Sequence, residues 1–200
     1  VAAEAAFASS GFDGTSVRQI AADVGLSSAA LLHHFATKEA LYGEVLHRIS
    51  ASFDAAWLVD TLAAPPGREA DDLVEMVDWY VDWTAAHDRY SRIVLRDVLE
   101  NGTRARDARR WYLAPLVAGA AALVRRAVDA GAVRALDPEL FVLQFVGTVA
   151  YFFVAIPTAQ HILPAETPRD RDALVTRFRA ELRRNTRALL ACDPKGESHS

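Results

Sequence analysis

Residues 15–41 read TSVRQIAADVGLSSAALLHHFATKEAL. The side chains here that could do chemistry are hydroxyls (Thr15, Ser16, Ser27, Ser28), imidazoles (His33, His34) and two cations (Arg18, Lys38). Hydroxyls and cations bond phosphate oxygens, and hydroxyls and imidazoles bond base edges. The run Ser27-Ser28-Ala29-Ala30 is small throughout, so a backbone carrying it can approach a partner closely, and its alanine methyls can touch thymine methyls. Adjacent His33 and His34 would point about 100° apart on a helix, which disfavours a shared metal ion.

The flanking residues dictate how this set is held. Val17, Ile20, Ala21 and Val24 fall at i, i+3, i+4 and i+7, one apolar stripe of a short helix. Ser16 and Gln19 form a capping-box start, and Gly25 ends the helix. Ser27 opens a second short helix with Leu31 and Phe35 inward, and Leu26 is expected to be buried between the two. Thr37 caps a further helix in which Leu41, Val45, Ile49 and Phe53 share a face to about Leu58. Two short helices joined by a tight glycine turn make a helix-turn-helix, whose second helix enters the DNA major groove N-terminal end first.

The rest of the chain must support that element. It has 200 residues, 52% hydrophobic, enough for a substantial core. The net charge is −4, so the whole molecule does not advertise a polyanion partner, and residues 1–50 hold three basic side chains (Arg18, Lys38, Arg48) against five acidic ones. Cys192 is the single cysteine; one thiol closes no intrachain disulfide, which suits a reducing cytosol. No secretory signal pattern appears, and a cytoplasmic location is expected. The chain starts at Val1 within a helical pattern, so further residues are expected upstream.

Helical periodicity runs almost throughout, with no convincing alternation of strand type. A first helix is expected to end at Gly11, and the prolines and glycine of 63–72 mark the clearest boundary. Helices are expected near 70–87, 89–100, 104–130, 138–156 and 169–191, the last two opened by Asp137-Pro138 and Thr167-Pro168. The segment 140–156 is nearly all apolar but short of a membrane span, so a buried helix is expected, covered in part by a second subunit. The basic run 104–110 reads as a solvated helix start. Metal and catalytic signatures (HExxH, CxxC, EF-hand, GxSxG, P-loop, GxGxxG) are absent from the sequence, and neither an enzyme active site, a metal nor a cofactor is expected. Met76, Trp79, Tyr80, Trp83, His87, Trp111, Phe145 and Phe152 are candidates for an apolar pocket with polar tips, against the plainer reading that they are ordinary core.

The N-terminal stretch resembles the TetR family of bacterial transcriptional repressors. Thr15, Ser16, Ile20, Ala21, Gly25, Ser27, Ala29, Leu31, His34, Phe35, Thr37, Lys38, Glu39 and Leu41 stand in register with that family's motif. Leu32 replaces its usual tyrosine and Ala30 a common threonine. The resemblance implies an all-α protein: a three-helix DNA-binding domain at 1–46, a helical ligand-binding and dimerisation domain at 47–192, and a flexible tail at 193–200. It implies DNA contacts from Thr15, Ser16, Arg18, Ser27, Ser28, Ala29, Ala30, His33, His34 and Lys38. It implies a homodimer joined by a four-helix bundle, for which Phe141, Phe145, Val149, Phe152, Leu174, Phe178, Leu182 and Leu189 are the expected residues. The implied function is a ligand-responsive regulator, most readily a repressor, that binds a palindromic operator and is released by a small hydrophobic molecule. Two other classes are weighed against it: a helical enzyme or transporter accessory of helix-turn-helix shape, which would need a polar catalytic cluster, and a ligand-binding or scaffold protein that no longer binds DNA, suggested by the acidic motif region and Leu32.

Overall fold

The computed structural model describes residues 1–53, 55–100, 114–164, 166–167 and 170–191. Every regular element among them is helical. The expected pocket residue Trp111, the basic run 104–110, Cys192 and the tail lie outside the described residues.

Helices α1 (Ala2–Gly14), α2 (Val17–Asp23), α3 (Ser28–His34), α4 (Lys38–Ser52) and α7 (Asp88–Glu100) fall in one compact unit, built from Val1–Asp54 and Ala86–Ala114. Helices α5 (Ala55–Ala63), α6 (Glu69–Ala86), α8 (Ala114–Asp129), α9 (Pro138–Ile162) and α10 (Arg171–Leu190) make up the second, from Ala55–Ala85 and Pro115–Ser200.

In the first unit the core is aromatic and aliphatic. Phe7, Ile20 and Ile49 are almost wholly buried. The Tyr42 ring meets Phe7 edge-on at 4.8 Å and Phe12 at 5.1 Å, the geometry that ring quadrupoles favour. The Tyr42 hydroxyl donates to Asp97 Oδ1 at 3.0 Å, tying α4 to α7, and Arg96 donates to the Ser9 carbonyl at 3.0 Å, tying α7 to α1. Gly11 breaks α1 as expected, with φ +71°, a value that L side chains resist; a short helical turn then runs on to Gly14. The helix expected to run from 38 to 58 is instead two, because Phe53 leaves the helical region (φ −70°, ψ 119°) and α5 starts afresh at Ala55.

In the second unit Leu73, Val77, Val81, Leu123, Val124, Val142 and Val149 form the core. Arg126 on α8 crosses it: its guanidinium donates to Asp72 Oδ2 at 2.6 Å and to the Thr61 and Leu62 carbonyls at 2.7 and 3.1 Å. The last two lie near the C-terminal end of α5, where the Thr61 carbonyl also accepts from the Ala64 N–H at 3.3 Å, so one cation ties that helix end to an almost buried carboxylate. From α10, Arg183 and Arg179 pair with Asp78 and Asp82 of α6. Asp137 caps α9 by accepting from the Leu140 N–H at 2.9 Å, as expected. Helix α9 differs from expectation at its far end: it runs through Pro157 to Ile162 and does not stop at 156. Proline there removes one N–H donor, and the helix continues beyond it. Helix α10 is capped by Asp170, which accepts from the Ala173 N–H at 2.9 Å; Thr167, the expected cap, is buried.

A candidate nucleic-acid interface

The three helices that carry the motif start in the same way. Ser16 Oγ accepts from the Gln19 N–H, Ser27 Oγ from the Ala30 N–H and Thr37 Oγ1 from the Ala40 N–H, each at 3.1 Å. An N-cap of this kind satisfies one orphan amide and costs about 1 kcal/mol to remove. It uses the oxygen as acceptor and leaves the hydroxyl proton to donate, the polarity that a phosphate oxygen requires. Ser16, Ser27 and Thr37 are all exposed. Thr37 was not among the expected DNA contacts, although its place in the motif was visible in the sequence.

Helix α2 ends at Gly25 in a Schellman turn. The Leu26 N–H reaches the Ala21 carbonyl at 2.9 Å and the Gly25 N–H the Ala22 carbonyl at 3.1 Å. This turn needs φ near +69° at residue 25, which glycine adopts freely. The turn also carries Leu26 outward: Leu26 is 44% exposed and Val24 48%. The expectation that Leu26 would be buried between the helices is therefore corrected. Ile20 and Ala21, at 2% and 1% exposure, form the buried face of α2 without it.

Helix α3 anchors through Leu31 and turns most of its other side chains away from the core. Ala29, Leu32, His33 and His34 are exposed, Ser28 and Ala30 half-buried. The two imidazoles stand 5.8 Å apart, edge to face. Arg18 is exposed on α2. Lys38 is placed by a cation–π contact, its Nζ 4.3 Å from the centre of the Phe12 ring. Arg48, the third basic residue of the stretch, sits 3.8 Å from the buried Glu4 carboxylate.

Thr15 departs from expectation. It is 3% exposed, and its hydroxyl donates to the Gly11 carbonyl at 2.7 Å with the Ala6 carbonyl 3.1 Å away. Its role is to fasten the kink of α1, and a buried, committed hydroxyl has nothing to offer DNA.

The expected pocket residues divide. Met76, Tyr80 and Trp83 are buried on α6, and Tyr80 lies 5.5 Å from Phe145 and 6.1 Å from Trp83, ring to ring. Burial pushes the Tyr80 phenol well above its ordinary pKa, against a weaker opposing hydrogen bond to Thr84, so it stays protonated. Trp79 stacks on Trp57 at 5.4 Å, a partner that the sequence reading missed because it stands on a different helix. Phe152 stacks on Phe178 at 3.7 Å. His87 is separate: α6 ends at Ala86, and the His87 ring stacks on Tyr90 at 5.2 Å in the first unit.

The expected dimer residues divide too. Phe141, Phe145, Val149 and Leu174 are at most 8% exposed within one subunit, so they are core and cannot face a partner. Phe152, Phe178 and Leu182 are half-buried, and Leu189 is 40% exposed. The face of α9 open to solvent is a different one: Leu140 (59%), Leu143 (52%) and Tyr151 (71%), with Gly147 and Thr148 exposed between them. The expectation of a buried helix therefore holds for one side only. By length and composition alone α9 could cross a membrane, and a minority of its most apolar window is buried within the subunit.

Among the described residues no three His, Cys, Asp or Glu side chains gather as a metal site. A groove of about 210 Å³ opens between Ala70, Asp71, Val74, Ala132, Arg187 and Leu190.

Comparison with known proteins agrees with this architecture. Over most of its length the chain is similar in fold to a regulatory protein of the tetR family from Rhodococcus RHA1 (23% identity, 96% of this chain and 95% of that one, TM-score 0.62). It is similar to a HlyIIR mutant protein carrying a GSSGSSG linker (15%, 97% and 94%, TM-score 0.69). It is also similar to SCO4942 of Streptomyces coelicolor, assigned as a transcriptional regulator (22%, 94% and 94%, TM-score 0.66). At these identities the likeness is one of fold. No curated protein matches the sequence significantly. The family model for bacterial regulatory proteins of the tetR family matches residues 1–45, and that for the tetracyclin repressor-like C-terminal domain matches residues 62–187. With both halves matched, the chain belongs to the TetR family of transcriptional regulators, which are not enzymes.

Proposed function

We propose that the protein is a homodimeric repressor, working in the cytoplasm, that binds a palindromic operator and is released by a small hydrophobic molecule. The observation that carries DNA binding is α3 itself, a helix whose one buried residue is Leu31, with Ala29, Leu32 and His33 turned outward. In this reading α3 enters the major groove, Arg18, Ser16, Ser27 and Lys38 bond phosphates, and Ser28, Ala29, Ala30, His33 and His34 meet base edges. Residues 1–46 serve as the DNA-binding domain and 47–192 as the effector and dimer domain. Two copies of α3 must then stand about 34–36 Å apart, or a multiple of a DNA turn, to reach successive grooves.

The partner subunit covers the open face of α9. Leu140, Leu143 and Tyr151 supply apolar area, and Gly147 and Thr148 let a second helix come close. On α10 the exposed Ala173, Thr176 and Ala180 are equally small. This cover gives α9 its missing burial without a membrane. The effector would be held by the aromatic set around Tyr80, where Met76, Trp79, Trp83, Phe145 and Phe152 provide an apolar lining and the Tyr80 hydroxyl a polar tip. Release by 100–1000-fold takes about 3–4 kcal/mol of coupling between effector and operator. The effector must favour the wrongly spaced dimer by at least that amount.

Selection of duplexes from a random pool, followed by footprinting, tests the proposal. The expected result is one twofold-symmetric sequence with two protected half-sites about one helical turn apart. Enrichment of no sequence, or of an asymmetric one bound by a single subunit, refutes it.

A further inference from the structure

We infer that the recognition helix reads its operator through the C5-methyl group of thymine, and that Leu32 is the residue that selects it. The inference rests on the DNA-binding reading and concerns what chemistry that reading leaves to α3.

Helix α3 is Ser28-Ala29-Ala30-Leu31-Leu32-His33-His34. It carries no Arg or Lys to fork onto guanine, no Asn or Gln to fork onto adenine, and no Asp or Glu to accept from cytosine. The side chains that usually carry base discrimination by paired hydrogen bonds are therefore all missing from this helix. What it presents instead is apolar. Leu31 is spent on the core at 7% exposure, while the adjacent Leu32 is 40% exposed and Ala29, three residues before it and so its neighbour on the helix surface, is exposed as well. His33 borders both. An aliphatic side chain held in water on the groove-facing helix gains free energy only when something apolar covers it. The edges of the four base pairs offer one such group in the major groove, the thymine methyl. Ala29 is short and Leu32 long, so together they form a step into which one methyl fits.

The test uses the whole protein and the selected operator, with binding followed by fluorescence anisotropy. Uracil replaces thymine at one position at a time, which removes the methyl and keeps every hydrogen-bonding group. At the position read by Leu32, each removal should weaken binding about 4-fold, and symmetric removal from both half-sites about 15-fold. Replacing that T·A pair by 5-methylcytosine·G should cost less than replacing it by C·G, because the methyl is restored. The Leu32→Ala variant should bind thymine and uracil duplexes within twofold of each other. Uracil duplexes that bind as tightly as thymine ones at every position would overturn the inference and leave DNA binding intact. The same methyl preference in Leu32→Ala would overturn the assignment to Leu32. Failure to bind any duplex would remove the inference together with the reading beneath it.

Discussion

The charge on the DNA-facing surface sets a quantitative expectation. From residue 15 to the first turn of α4 the only basic side chains are Arg18 and Lys38, and Arg48 beyond them faces Glu4. A dimer then brings four cations to phosphates. Counterion release gives a slope of about −0.9 per neutralised phosphate in log K against log salt, so about −3.6 here. Affinity should fall about 150-fold between 50 and 200 mM salt. Replacing Arg18 by Ala removes two of the four contacts, halves the slope to about −1.8 and leaves a fall of about 12-fold over the same range. Lys38→Gln should do the same. The assay is anisotropy of a labelled operator duplex at pH 8 over a salt series, with circular dichroism melting to confirm that each variant folds. Arg18 is exposed, so its removal should leave the melt unchanged. A wild-type slope of −7 or steeper, or a slope that Arg18→Ala does not alter, would refute this account and place the phosphate contacts elsewhere in the chain.

Further outcomes follow from the second unit. Arg126→Met should destabilise the protein by about 3–5 kcal/mol, because it strands the Asp72 carboxylate, 5% exposed, and takes a donor from the Leu62 carbonyl. Burial, helped by the Glu75 and Glu69 charges, raises the Asp72 pKa against the opposing pull of Arg126 and Arg68. A carboxyl raised in the folded state favours folding below its unfolded value and loses that contribution as pH rises through the folded value. The deficit of Arg126→Met, read by urea unfolding, should therefore shrink as pH falls from 7 toward 4, and Asp72→Asn in the same chain should recover part of it at pH 7. Leu143→Arg places a charge on the open face of α9 without touching the core, and light scattering should show the dimer replaced by a monomer that still gives a native helical spectrum.

What was legible in the sequence is what depends on near neighbours along the chain. Caps, stops and periods are local, so Ser16, Ser27, Thr37 and Asp137 could be read as caps and Gly11 and Gly25 as breaks before any coordinates. The helix-turn-helix was visible for the same reason, since its hydroxyl and glycine positions follow from backbone geometry over a few residues. Facing was not. A helix apolar nearly all round, such as α9, carries no periodic signal to say which side the subunit buries. Only packing, such as Phe145 on Tyr80 of α6 and Phe152 on Phe178 of α10, set the buried side, and it left Leu143 and Tyr151 outside. Thr15 and Leu26 show the limit within the motif itself. One hydroxyl was taken up by carbonyls four and nine residues away, and one leucine was turned out by a glycine at positive φ. Side chains met across space, such as Trp57 on Trp79 or Arg126 on Asp72, have no trace in local spacing. Sequence alone determined the elements and the kind of chemistry that they present, because hydrogen-bond closure of a helix is decided within one turn. The tertiary structure decided which atoms remain available for that chemistry, because burial is a property of neighbours distant in the chain.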